Sequence, residues 1–226
     1  MYNRVIIMDK IYKIKDVPKG QKLRFFFDYN FLPIVGIIAA IVLVVVMTKF
    51  FFFAPKADYG VILVNTDSEE YLLNQFHSEI SKRLDEVIGD VNGDEKSRYT
   101  VSYSNINEDT SMTDPEYYSA QLDKYYAEIT NGKSLILIGD EEVFDKSFIG
   151  EGLCATNEEL GLGALSVDEK YVKIPLKDIQ SMKDLRFADR LYISIRAKED
   201  IDFDNNSRRE NYENNLKAFK KILNIE

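Results

Sequence analysis

One long apolar run near the N-terminus dominates the pattern of hydrophobic and polar positions. Residues 29–48 contain no charged side chain. Twenty residues of α-helix span about 30 Å, which is the thickness of the hydrocarbon core of a bilayer. A helix buried in a soluble core would rarely be this long or this free of charge. The run therefore predicts a single transmembrane helix, which we place at residues 29–54.

After this run, short apolar stretches alternate with amphipathic segments, which is the pattern of βαβ units. The strands are expected at residues 59–64, 98–103, 134–138, 171–174 and 190–195. The helices are expected at residues 68–88, 114–131 and 208–223, with a short one after residue 140 and a loop at residues 150–163. The pattern predicts one three-layer α/β domain with a mostly parallel sheet over residues 55–226.

Two helix starts carry capping signals. Asp114 stands in the N-cap position, Pro115 at the first helical position and Glu116 in the first turn, and Gly132 follows the end of the same helix. Asp67 and Glu70 have the spacing of a capping box. We therefore expect helices to begin directly after Asp114 and Asp67.

Charge is distributed unevenly about the apolar run. Residues 1–28 carry seven lysines and arginines against three acids, whereas residues 56–226 carry 21 against 35. Short positively charged flanks stay in the cytoplasm, so we expect a cytoplasmic segment at residues 1–28 and an extracellular domain at residues 55–226. The basic segment indicates the lipid bilayer as a partner. The net charge of −14 on the outer part argues against binding to nucleic acid.

A cleaved secretion signal is the alternative explanation of the apolar run. The apolar run is longer than the apolar region of a usual signal peptide, and the basic stretch before it is longer than the usual charged region. Residues 50–53 are all phenylalanine, where small residues should precede a cleavage site, and Pro55 follows Ala54. These features favour an uncleaved anchor, and cleavage stays open as the alternative.

Polar residues follow three of the predicted strands. Thr66 and Asp67 follow the first strand, Asn105 follows the second and Asp140 follows the third. In an open α/β sheet, ligands bind beyond the carboxyl ends of the strands. These four residues are therefore the candidate ligand-binding residues, suited to a small polar solute. The simpler interpretation is that Asp67 and Asp140 only cap the helices that follow them.

The turn after the first helix resembles the start of a calcium-binding loop. Asp90, Asn92 and Asp94 supply oxygen ligands at positions 1, 3 and 5. The pattern then departs from such a loop, because Glu95 replaces the glycine of position 6 and Val101 replaces the acid of position 12. We name these three residues as a candidate metal site, with a solvated turn as the alternative.

The sequence offers little material for covalent or metal-dependent catalysis. His77 is the only histidine and Cys154 the only cysteine, so the chain has neither an intramolecular disulfide nor a histidine–cysteine zinc set. It also lacks a glycine-rich phosphate loop. We therefore predict that the protein is not an enzyme and needs no cofactor. A membrane-anchored surface hydrolase that uses paired carboxylates is the alternative.

The order of elements between residues 59 and 149 resembles the first lobe of type 2 extracellular solute-binding proteins. The similar pieces are the strands at 59–64, 98–103 and 134–138, the helix from Asp114-Pro115-Glu116 to Asn131-Gly132, and the turn Gly139-Asp140-Glu141. The whole chain also resembles small membrane-anchored proteins of Firmicutes, which have a lysine-rich N-terminus and one span. The resemblance implies that the three strands are parallel neighbours in one lobe, which offers an open ledge and not a closing cleft.

Together these features predict a single-pass bacterial membrane protein that displays an α/β binding or interaction module outside the cell. We expect it to act as an accessory or sensor subunit of another membrane or envelope protein. A small polar solute is the second partner that the strand-end residues indicate.

Overall fold

The computed structural model describes residues 20, 22–52, 57–66 and 70–225. The chain divides into two units, Met1–Pro55 and Lys56–Glu226. The first unit contains one long helix, and the second contains the five strands of a single sheet together with the remaining helices.

The helix of the first unit, α1, spans Lys22–Phe52 and begins seven residues earlier than the apolar run predicts. Its segment Phe31–Lys49 is long and apolar enough to cross a membrane, and its side chains are not buried within the protein. A transmembrane anchor and a secretion signal both have this length and composition. The predicted apolar helix is therefore present, and its role belongs to the proposal below.

The second unit is an α/β domain with a five-stranded sheet in the order β2-β1-β3-β5-β4. The strands are β1 (Tyr59–Asn65), β2 (Tyr99–Asn105), β3 (Ile136–Asp140), β4 (Ile174–Pro175) and β5 (Leu191–Ile195). The helices are α2 (Glu70–Ile88), α3 (Glu108–Thr113), α4 (Pro115–Asn131), α5 (Glu141–Val143), α6 (Asn157–Leu160) and α7 (Asn206–Leu223). A π-helical turn, Phe144–Ile149, continues α5.

The three strands that the sequence places first are parallel neighbours, as predicted. β1 pairs in parallel with β2 from Tyr59 opposite Tyr99 to Asn65 opposite Asn105. On its other side β1 pairs in parallel with β3. Every residue of β1 is buried, which agrees with its uninterrupted apolar sequence.

The remaining strands make the sheet mixed. β5 is antiparallel both to β3 and to β4, so four strands run in one direction and β5 runs in the other. The sheet is therefore mostly parallel, as expected. β4 is only two residues long, shorter than the predicted strand at 171–174, since Pro175 cannot donate to a ladder and Tyr171 instead bridges Thr156.

The two faces of β1 contribute to two separate hydrophobic clusters. Val61 and Leu63 belong to the larger cluster, which helices α2 and α7 complete with Phe76, Ile80, Leu84, Tyr212, Phe219 and Ile222. Ile62 and Val64 belong to the second cluster, which contains Tyr125, Phe144 and Phe148 from α4 and the π-helical turn. Full burial of each large apolar side chain contributes about 1.5–3 kcal/mol relative to exposure. The alternation along β1 thus distributes the apolar core over both sides of the sheet.

The predicted signals at α4 act as expected. The Asp114 carboxylate accepts a hydrogen bond from the Tyr117 backbone N–H, and Pro115 occupies the first turn. At the other end Gly132 adopts a left-handed conformation, with φ of 63°. These local signals fix both ends of the helix without tertiary contacts.

The prediction of a loop at residues 150–163 is partly wrong, because this stretch contains α6. The Thr156 hydroxyl accepts a hydrogen bond from the Glu159 backbone N–H, and Gly161 ends the helix with a left-handed backbone. The sequence Thr156-Asn157-Glu158-Glu159 has the capping-box spacing. The signal was therefore present, but the helix it opens lasts only four residues.

Side chains of two helices cover the outer edge of β2, the strand at one end of the sheet. His77 Nε2 of α2 lies 3.4 Å from the Val101 carbonyl oxygen, and Lys124 Nζ of α4 donates to the Tyr103 carbonyl at 2.5 Å. The Asn105 backbone N–H donates to Gln121 Oε1 of α4. Three backbone groups on this edge therefore have side-chain partners within the domain.

Candidate functional site

The structure brings together Thr66 and Asp140 from the carboxyl ends of β1 and β3. Asp140 Oδ2 accepts hydrogen bonds from the Thr66 backbone N–H at 2.7 Å and from the Thr66 hydroxyl at 2.8 Å. Asp140 Oδ1 accepts from the Val143 backbone N–H at 2.9 Å, which caps α5. Asp140 thus caps a helix, as the simpler interpretation states, and it also ties that helix to the end of β1.

Asn105 joins the same edge through a residue that the sequence did not single out. Asn107 donates from its backbone N–H to Asn105 Oδ1 and from its side-chain amide to the Thr66 carbonyl. Asn107 Oδ1 also caps α3 by accepting from the Thr110 N–H. The motif Asn105-Ile106-Asn107 after a strand is the signal that could have identified it.

The edge is therefore a polar platform in which Thr66 binds Asp140 directly and Asn105 is linked to Thr66 through Asn107. Asn105 is only 4% exposed and Asn107 8%, so a ligand would reach little of either side chain. Asp67 lies outside the described residues. A solute at this platform would meet side chains that already have partners, so binding there would need a rearrangement of these hydrogen bonds.

The loop after α2 has the backbone shape of a cation-binding turn. Asp90 Oδ1 accepts hydrogen bonds from the Asn92 and Gly93 N–H groups, and Asp90 Oδ2 accepts from the Glu95 N–H. These backbone donors, Gly93 first, lower the pKa of Asp90 below its ordinary value of 3.8. Glu95 has φ of 64°, the left-handed conformation that a glycine usually supplies at position 6. The departure at Glu95 therefore does not prevent the turn.

Asp58, which the sequence did not single out, adds a third carboxylate to this loop. Carboxylate oxygens of Asp58, Asp90 and Asp94 all lie within 4.8 Å of one another. Asp58 is 1% exposed and accepts hydrogen bonds from the Asn92 side-chain amide at 2.6 Å and from the Arg98 N–H at 3.1 Å. It directly precedes β1, whereas the loop lies more than thirty positions along the chain.

The pKa of the Asp58 carboxyl reflects its burial and the neighbouring acids. Burial raises the pKa of Asp58, the hydrogen bond from the Arg98 N–H opposes this rise, and the charges of Asp94 and Asp90 add to it. The Arg98 guanidinium reaches Asp94 at 2.5 Å. Oxygen ligands of this kind suit a hard cation such as Ca²⁺. That Asp90, Asn92 and Asp94 bind such a cation stays a prediction, and Asp58 would be a fourth ligand.

The single cysteine and the single histidine are placed in structural surroundings. Cys154 is 1% exposed, and burial raises the pKa of its thiol to about 12, although a hydrogen bond with Ser194 opposes the rise. His77 is held against the edge of β2. Neither arrangement provides an activated nucleophile next to a base.

The two predicted sites lie at opposite ends of the same sheet. Asp140 and Thr66 stand at the carboxyl end of the parallel strands, and Asp58 stands at the amino end of β1. No single cleft can therefore use both sets of residues. No protein-family model matches this chain, and no curated protein and no solved structure matches it either.

Proposed function

We propose that this chain is a single-pass membrane protein whose unit Lys56–Glu226 is a binding or interaction module outside the cell. The observation that carries the proposal is the apolar segment Phe31–Lys49, whose side chains are not buried within the protein. An apolar surface of this length is stable when lipid covers it. The basic residues before the segment and the acidic domain after it support a cytoplasmic N-terminus.

The proposed module is similar to one lobe of a type 2 solute-binding protein. The parallel order of β2, β1 and β3 supports this, because an antiparallel meander of these strands would have contradicted it. The domain has three layers in this proposal, since α2 and α7 contribute to one hydrophobic cluster and α4 contributes to the other. The module would act as an accessory or sensor subunit of another membrane or envelope protein.

Binding is favoured over hydrolysis by the state of the acidic side chains. Asp140 and Asp90 each accept three hydrogen bonds that hold the backbone or a neighbouring side chain. A carboxylate used in this way is a structural group, whereas a catalytic pair needs accessible oxygens on both sides of a scissile bond. This observation argues against carboxylate catalysis at these two acids.

Membrane topology is the experiment that tests the proposal. The full chain with a C-terminal epitope tag should sediment with bacterial membranes, and protease added to intact cells should remove the tag. The double variant Leu43→Arg/Val45→Arg should leave the membrane fraction, because each arginine at the centre of a span costs about 2.5–3.5 kcal/mol. The apolar control Leu43→Ile/Val45→Leu should remain there.

Two results would contradict the proposal. A wild-type chain found in the soluble cytoplasmic fraction would exclude the anchor. A membrane-bound chain whose tag is protected from protease in intact cells would show that the C-terminal domain lies inside the cell. The mass of the mature protein separates the alternatives for the apolar segment, because cleavage after a signal sequence would remove it.

A further inference from the structure

Three chain segments of the α/β domain line an open surface cavity of about 410 Å³, within the usual range of ligand sites, about 300–1,000 Å³. Its lining includes Cys154, Thr156, Glu159, Lys170, Lys198 and Glu199. The cavity lies near the amino end of β3, since Cys154 bridges Arg196 and the Arg196 N–H donates to the Leu135 carbonyl. It is therefore at the end of the sheet opposite to Asp140.

The walls of the cavity are held together by backbone hydrogen bonds. The Ala155 N–H donates to the Ile195 carbonyl and the Ala197 N–H donates to the Leu153 carbonyl, both at 2.8 Å. The Val172 N–H donates to the Ala155 carbonyl at 2.9 Å. The segment around Ala155 is thus paired on both sides, so the cavity is formed before any ligand enters.

The two lysines of the cavity are positioned by aromatic rings. Lys170 Nζ lies 4.7 Å from the centroid of the Tyr171 ring, and Lys198 Nζ lies 4.8 Å from the centroid of the Phe203 ring. Attraction to an aromatic face limits the directions in which a flexible lysine can point. Each ammonium group therefore lies against a ring, although both lysines are exposed.

Two acids of the cavity, Glu159 and Glu199, balance the positive charge of the two lysines. Glu159 Oε1 accepts hydrogen bonds from the Lys198 N–H at 3.2 Å and from the Tyr212 hydroxyl at 3.3 Å. Glu199 lines the same cavity. Two cationic and two anionic residues, all of them exposed, thus line one cavity within a domain that is otherwise strongly acidic.

We propose that this cavity binds a zwitterionic small molecule, namely a free amino acid or a short peptide with both termini unblocked. The ligand carboxylate would meet Lys170 and Lys198, and its ammonium group would meet Glu159 and Glu199, in charge-assisted hydrogen bonds. Paired acids disfavour a phosphate or another polyanion. The inference rests on the proposed binding function and names its ligand.

The test is a thermal melt and a calorimetric titration of the full chain in detergent micelles. The probes are leucine, glutamate, lysine and alanyl-alanine, each compared with its N-acetylated amide, and glucose. We expect at least one unblocked compound to raise the melting midpoint and its blocked form to have no effect. Lys170→Gln and Lys198→Gln should each weaken binding at least tenfold. The matched control Lys177→Gln, whose lysine does not line the cavity, should bind as the wild type does.

Several results would overturn the inference. It is wrong if no unblocked probe binds, if blocked and unblocked forms bind equally, or if both lysine variants bind with unchanged affinity. A shift with glucose alone would overturn it and still support a binding module. Failure of the proposed membrane location would appear separately, in the fractionation and protease measurements.

Discussion

Asn215 Oδ1 of α7 accepts a hydrogen bond from the backbone N–H of Gly60 in β1 at 2.9 Å. The two residues are 155 positions apart, and Asn215 is completely buried. The Asn215 amide in turn donates to the Asn211 carbonyl of its own helix. One buried side chain therefore joins α7 to β1, an interior strand of the sheet, and satisfies a backbone group inside the core.

Replacement of this amide should destabilise the domain. Asn215→Leu keeps the approximate volume but leaves the Gly60 N–H buried without an acceptor, which costs about 1–3 kcal/mol. Thermal unfolding of the full chain measures the loss. Asn214→Leu, at the neighbouring position of α7, is the control. Equal midpoints for Asn215→Leu and the wild type would show that this hydrogen bond does not contribute to stability.

Gly60 should not tolerate a side chain. A Cβ atom added there would lie 2.5 Å from Ser134 Oγ and 2.7 Å from Ser134 Cα, so the backbone before β3 would have to move. Overpacking of this kind costs about 1–3 kcal/mol. We expect Gly60→Ala to lower the unfolding midpoint clearly. Gly163→Ala is the control, since its Cβ would meet only ordinary contact at 3.8 Å.

Cys154 should be unreactive in the folded protein. A buried thiol with a pKa of about 12 is almost entirely protonated at pH 8, and the thiolate is the reactive form. A thiol reagent should therefore label the full chain only after a denaturant unfolds the domain. Stoichiometric labelling under native conditions, at a rate comparable to that of free cysteine, would contradict this prediction.

Asp90 should stabilise the domain in a pH-dependent way. Its pKa is lowered in the folded state, so its contribution is present above the ordinary value of 3.8 and is lost as the pH falls through the folded value. Asp90→Ala should lower the unfolding midpoint at pH 7, and the difference from the wild type should shrink as the pH falls below about 3.8. The exposed Asp123→Ala is the control. A difference independent of pH would mean that the charge of Asp90 is not involved.

Two substitutions of Asp140 should separate its role as the cap of α5 from its contacts with Thr66. Asparagine is also a good N-cap, so Asp140→Asn should keep the hydrogen bond to Val143 and weaken only the contacts with Thr66. Asp140→Ala removes all three hydrogen bonds, and we expect it to cost about 1–3 kcal/mol. The unfolding midpoints should therefore fall in the order wild type, Asn, Ala. A lower midpoint for Asn than for Ala would contradict the assigned role.

Local sequence signals predicted the parts of the fold that depend on neighbouring residues. Asp114, Pro115 and Gly132 mark α4 because caps act within one turn. The uninterrupted apolar run of β1 predicted a strand buried on both faces, because burial on both faces requires apolar residues at every position. The direction of β5 could not be read in this way, because a buried strand has the same apolar pattern whether it runs parallel or antiparallel.

Contacts between distant residues limited what the sequence could predict about the candidate sites. Thr66, Asn105 and Asp140 were expected at one edge because parallel strands end together, and they do lie there. Asp58 was missed because its place beside Asp90 depends on how α2 returns the chain to the start of β1. The cavity around Lys170 and Lys198 was missed because three separate segments form it.

The covering of the β2 edge would have a consequence for the proposed membrane location. An anchor would confine many copies to one plane, where their domains would collide far more often than in free solution, and an open strand edge could then pair with the same edge of a neighbour. His77, Lys124 and Gln121 occupy backbone groups that such pairing would use. On the proposed membrane, the helices beside β2 would therefore keep neighbouring copies of the domain from joining into a continuous sheet through this edge.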